Sequence, residues 1–103
     1  MKVIQNTATN KYYDGNTFVY PITEECIMEE EFAESTITSL IRDGYSVEQI
    51  DCELYELTDG SIVIVWNDNS TTSILDGRCY RYDGAQFYYL DQYGDDLFTV
   101  KVK

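Results

Sequence analysis

Apolar and polar positions change their period along this chain. Over residues 50–57 they alternate: Ile50, Cys52 and Leu54 fall on one side of an extended strand, Asp51, Glu53 and Tyr55 on the other, and Glu56 interrupts the apolar side. Short runs rich in tyrosine, valine and isoleucine flank this stretch, divided by Asp14-Gly15, Asp59-Gly60, Asp76-Gly77 and Asp83-Gly84. Asp-Gly accepts the positive φ of a tight hairpin turn, so each dipeptide between β-prone runs is a hairpin signal. Residues 67–70, Asn-Asp-Asn-Ser, supply a further polar turn. Strands are predicted at residues 11–13, 17–20, 50–57, 62–66, 71–75, 78–82, 86–90 and 97–102, joined as an antiparallel meander.

Between the first hairpin and the later strands the period becomes helical. Cys26, Ala33, Ile37, Leu40 and Ile41 fall within one stripe at 100° per residue, which predicts a helix over residues 24–43 lying on a sheet. Thr23 is placed to cap its start, Glu24 and Glu25 suit the positive end of the helix dipole, Arg42 suits the last turn, and Gly44 closes it. Glu30 falls inside the apolar stripe, so either the first turns project past the sheet or the helix is irregular there. Ser46 followed by Gln49 resembles a capping box, which predicts one helical turn before the strand at Ile50. The fold class is therefore α+β, one main helix packed on an antiparallel meander, with residues 1–103 as a single domain.

KYYDGNTFVYP, residues 11–21, aligns without gaps on YRYDGAQFYYL, residues 80–90. Tyr13, Asp14, Gly15, Phe18 and Tyr20 recur as Tyr82, Asp83, Gly84, Phe87 and Tyr89. Two hairpins with the same turn chemistry account for this echo, and its spacing fits no solenoid period.

Charge narrows the function. Nineteen acidic residues face seven basic ones, for a formal charge of -12 and no histidine. Such a field repels phosphate and opposes direct binding to DNA, RNA or an anionic membrane. The N-terminal stretch has no apolar run that reads as a signal peptide or a span, and Cys26, Cys52 and Cys79 are odd in number and widely spaced. Buried free thiols in a reducing, cytoplasmic setting are expected.

The residues predict no enzyme. Without histidine the chain lacks the commonest acid-base group near neutral pH. Neighbouring carboxylates such as Glu29, Glu30 and Glu31 point to different sides of a helix and read as a solvated face. An EF-hand counted from Asp68 fails, since its sixth position is Ser73 and its twelfth Cys79. Asp91, Asp95 and Asp96 around Gly94 read as a turn, and no glycine-rich phosphate loop precedes a helix. No cofactor or metal is expected.

Surfaces remain. On the strand over residues 50–57 the exposed face spaces carboxylates about 6.6 Å apart, two steps of strand rise, on the scale at which backbone phosphates repeat. A small, histidine-free, strongly acidic α+β chain resembles the anti-CRISPR proteins of phages and mobile elements and, more broadly, DNA-mimicking inhibitors of restriction enzymes, in size, charge and style. The resemblance implies a non-enzymatic inhibitor whose partner is a basic nucleic-acid-binding protein such as a CRISPR effector nuclease. The expected contact residues are Glu29, Glu30, Glu31 and Glu34 on the helix and Asp51, Glu53 and Glu56 on the strand, with Tyr55 as aromatic support. An immunity protein neutralising a basic nuclease toxin follows the same charge logic. FYYLDQYGDDLFT, residues 87–99, is also similar to one unit of a choline- or glucan-binding cell-wall repeat, which implies ligand binding on aromatic rings.

Overall fold

The computed structural model describes residues 1–74 and 77–103 of the chain. It is α+β, with one α-helix and antiparallel strands, and its residues group into two compact units, Met1–Cys52 and Glu53–Lys103. The strand β4, Val47–Glu56, runs through the division.

In the first unit the order is β3-β2-β1-β4, with β1 at Lys2–Asn6, β2 at Tyr12–Tyr13 and β3 at Phe18–Val19. The central strand β1 is absent from the sequence-based expectation. Val3 and Ile4 are both fully buried, so the strand shows no alternation to betray it. The pairing Asn6↔Val47 starts β4 three residues before Ile50, and the helical turn expected from Ser46 and Gln49 does not form. Instead the Ser46 carbonyl accepts from the Thr7 N–H at 2.9 Å.

The expected helix over residues 24–43 is broken. Glu24–Cys26 forms a single 3₁₀ turn, and the helix α1 spans Glu30–Arg42. Met28 leaves the helical path because its N–H and C=O exchange 2.8 Å hydrogen bonds with Lys2 of β1, and its side chain is buried. A backbone group serves one ladder at a time, so the bridge to β1 resets the helix start to Glu30, with Glu29 as its N-cap. Gly44 closes α1 at φ +96°, with its N–H on the Ile41 carbonyl. Ile4, Met28, Ala33 and Leu40 form the core of this unit, flanked by Tyr13, Phe18, Ile37 and Val47. Cys26 is buried from the 3₁₀ turn, and Ile41 is 57% exposed, outside the stripe assigned to it.

In the second unit the end of β4 is followed by β5, Ile62–Trp66, and β6, Thr71–Ser73, and a three-stranded sheet follows in the order β7-β8-β9. These last strands are Tyr80–Tyr82, Phe87–Leu90 and Asp96–Val100, a meander as the pattern predicts. Leu75 and Asp76, the end of one expected strand and half of one expected turn, lie outside the described residues. Leu57, Val63, Val65, Tyr80, Phe87 and Val100 make the core, with Tyr55, Tyr82 and Tyr89 packed on it.

Candidate interaction surface

Aspartate does more at the turns than tolerate their geometry. Asp14 Oδ1 accepts the N–H groups of Asn16 and Thr17 at 2.9 and 2.8 Å, and Asp83 Oδ1 accepts those of Ala85 and Gln86 at 2.9 and 2.8 Å. Asp59, Asp68 and Asp91 clasp Ser61, Ser70 and Tyr93 two residues on in the same way. Hydrogen bonds to the charged form hold it charged. The Asp14 carboxyl lies below its usual range chiefly through Thr17 and then Asn16, and Asp83 through Gln86 and then Ala85. These carboxylates keep their charge, but their orientation is committed to the fold.

The glutamates are different. Glu24, Glu25, Glu29, Glu30, Glu31 and Glu34 are all exposed along the 3₁₀ turn and the first turns of α1. Glu29 is the N-cap without a side-chain capping bond, and Glu30 and Glu31 stand in the first turn, where the helix dipole favours negative charge. Glu30 lies 3.8 Å from Lys2 Nζ, and Lys2 pairs more closely with Asp51. That hydrogen bond raises the Lys2 amine above its usual range and lowers the Asp51 carboxyl.

Of the residues expected to make contact, β1 thus brings Glu30 and Asp51 together on one lysine, half neutralised. Glu29, Glu31 and Glu34 are exposed; Glu29 and Glu31 have no ion-pair partner among the described residues, and Glu34 feels the Lys2 charge without a close ion pair. In the second unit Glu53 is exposed and Glu56 pairs with Lys103 at 3.0 Å. Tyr55 is half-buried, its ring 5.3 Å from Phe87 and 5.9 Å from Tyr82. Its hydroxyl is raised above the usual phenol range by a hydrogen bond with Tyr82 and then by burial. The expected aromatic support is therefore part of a core. Alternation holds through Cys52, but Tyr55 and Leu57, on the parity of Asp51 and Glu53, turn inward.

An aromatic that the sequence reading passed over stands in the acidic run: Phe32, between Glu31 and Ala33, is 59% exposed. The signal was present, since at 100° per residue Phe32 falls about 80° outside the edge of the apolar stripe, on the solvent side of the helix.

Other chemistry-bearing groups are occupied. Tyr80 donates to Asp59 Oδ2 and shares a 2.7 Å hydrogen bond with Ser61, and Arg78 lies 3.4 Å from the same carboxylate. Ser61 is 1% exposed and Tyr80 5%, so this cluster braces the β4–β5 turn from inside and offers no hydroxyl to a substrate. No group of three or more His, Cys, Asp or Glu suited to a metal ion occurs among the described residues. Cys26 and Cys52 are buried free thiols, whereas Cys79, expected to be buried, is exposed. In the segment similar to a cell-wall repeat, Tyr88 already carries the Arg81 guanidinium 4.2 Å from its ring centre, and Tyr89 stacks on Phe98 at 5.2 Å. No helix among the described residues is long and apolar enough to cross a membrane. No family model, curated protein or solved structure matches the chain.

Proposed function

We propose that this chain is a non-enzymatic acidic inhibitor that binds the basic nucleic-acid-binding surface of a partner enzyme, of the kind found in CRISPR nucleases and related defence systems, and blocks its access to DNA or RNA. The supporting observation is the run of exposed glutamates from Glu24 to Glu34, in which Glu29 and Glu31 have no ion-pair partner among the described residues and Glu34 has only the more distant charge of Lys2. An uncompensated anionic face repels nucleic acid and attracts the cationic groove that binds it.

Charge alone does not supply affinity. An exposed ion pair contributes about 0–1 kcal/mol, whereas nanomolar binding needs about 12 kcal/mol after the costs of association. Apolar anchors must sit beside the carboxylates, and Phe32 occupies that position. In this reading the glutamates steer the encounter and the phenylalanine holds it.

The test is binding of the chain to a basic nucleic-acid-binding enzyme, measured with DNA or RNA as competitor and over a salt series. Binding should be competitive, and association should slow as salt rises. Reversal of Glu29, Glu31 and Glu34 to lysine should weaken it at least about tenfold, roughly 1.4 kcal/mol. Unchanged affinity in that variant removes α1 as the contact, and binding indifferent to nucleic acid removes the blocking mechanism.

A further inference from the structure

The first unit holds a pocket of about 240 Å³ where the β2–β3 turn meets the C-terminal end of α1. Tyr13, Asn16, Thr17, Phe18, Asp43 and Tyr45 line it, over Leu40. Three of these are aromatic and arranged as a chain: Tyr13 and Phe18 have ring centres 5.2 Å apart at 55°, and Phe18 and Tyr45 5.2 Å apart at 56°. Beside them the lining has three residues whose side chains carry acceptors, Asp43, Asn16 and Thr17.

The charged and dipolar groups that line this place favour a cation. Asp43 is the C-cap of α1 and exposed, and no ion pair with it occurs among the described residues. The helix presents its negative end there, and the aromatic rings add their negative faces. Arg42, the helix's own last-turn base, does not line the pocket.

The second unit shows how this chain holds a guanidinium. Arg81, one residue before the Tyr82-Asp83-Gly84 turn, lies 4.2 Å from the Tyr88 ring centre and makes a forked pair with Asp96 at 3.1 and 2.7 Å. In the gapless alignment of the two hairpins Arg81 falls on Tyr12 and Tyr88 on Val19, so the first unit does not repeat that arrangement, and its pocket sets aromatic residues beside a carboxylate from other positions. A planar, five-donor cation that stacks on rings and forks onto a carboxylate matches this lining better than a point-charge ammonium does.

We propose that the Tyr13–Phe18–Tyr45–Asp43 pocket receives an arginine side chain of the partner protein. The assignment rests on the reading of the chain as a binder of a basic protein, and it names the side chain that such a partner inserts. It also gives the acidic surface an anchoring contact with fixed geometry, which scattered ion pairs lack.

The test needs no partner. The ¹⁵N-labelled chain is titrated with acetyl-Gly-Arg-Gly-amide, with the citrulline peptide as neutral isostere and the lysine peptide as ammonium control. Amide shifts should centre on Asn16, Thr17, Asp43, Gly44 and Tyr45, and the citrulline peptide should produce none of them. Asp43→Asn, at an exposed site, should weaken arginine binding about tenfold, and Tyr45→Leu about fivefold, while Asp95→Asn leaves it unchanged. Equal binding of citrulline or lysine, affinity of Asp43→Asn within twofold of the parent, or shifts centred on Glu29 to Glu34 overturns the proposal. The lysine triple variant of α1 should still bind the peptide, so failure here and failure of the α1 contact are read separately.

Discussion

The hairpins closed at Asp14-Gly15 and Asp83-Gly84 share a turn down to its individual hydrogen bonds, yet they carry different weight in their units. In each the aspartate N–H reaches the carbonyl three residues on, at 3.0 Å to Thr17 and 3.3 Å to Gln86. Each glycine takes positive φ, +100° at Gly15 and +96° at Gly84, and each turn is followed by a cross-strand Tyr–Phe pair, Tyr13↔Phe18 and Tyr82↔Phe87. The ring centres of those pairs lie 5.2 and 4.7 Å apart. What differs is the surroundings. β8 is flanked by β7 and β9, and Phe87 is 1% exposed at the heart of its core, whereas Phe18 lies on the edge strand β3 and is half-buried. Local sequence thus determines the turn, and position within the sheet determines how much apolar surface the same phenylalanine removes from water.

The largest expected effect tests that difference directly. Phe87→Ala should destabilise the protein by about 3–5 kcal/mol and Phe18→Ala by about 1–2 kcal/mol, as read by urea unfolding. Equal losses would show that the edge position has no energetic meaning.

Gly15→Ala and Gly84→Ala sharpen the common part. No atom lies within 4 Å of a Cβ built at either position, so only the positive φ opposes the substitution. Each should cost about 1–2 kcal/mol, and the two should agree. A clear difference between them would break the identity of the turns.

The smallest effect is in the acid titration. The folded pKa values of Asp14 and Asp83 are depressed by backbone N–H donors, whereas an unfolded aspartate titrates near ~3.9. Between those values the unfolded chain binds a proton that the folded chain does not. The stabilisation from each clasp is therefore complete above ~3.9 and is lost as pH falls through the folded pKa. Carboxyl NMR titrations should place both groups below ~3.9, and a value at or above it for either would show that its clasp is not formed.

Legibility was uneven in the candidate surface as well. The acidic run of α1 was plain from composition, because glutamates at a helix start seldom have anywhere to go but solvent. The role of Lys2 was not, since Asp51 and Glu30 reach it only once β1 pairs with β4. Tyr55 was misplaced for a related reason. Alternation assigns faces, but which face a neighbouring layer covers depends on residues such as Tyr82 and Phe87, far along the chain.

By itself, the order of residues determined the turns at Asp14-Gly15, Asp59-Gly60 and Asp83-Gly84, the acidic character of α1 and its stop at Gly44, because these depend on dihedral preference and on contacts within a few residues. Tertiary structure alone decided that residues 2–6 form the central strand of the first unit, that Met28 abandons the helix to bond Lys2, and that Phe87 is core where Phe18 is margin. Those outcomes depend on partners distant in sequence, and a backbone hydrogen bond or a buried ring is specified only when both sides of the contact are present.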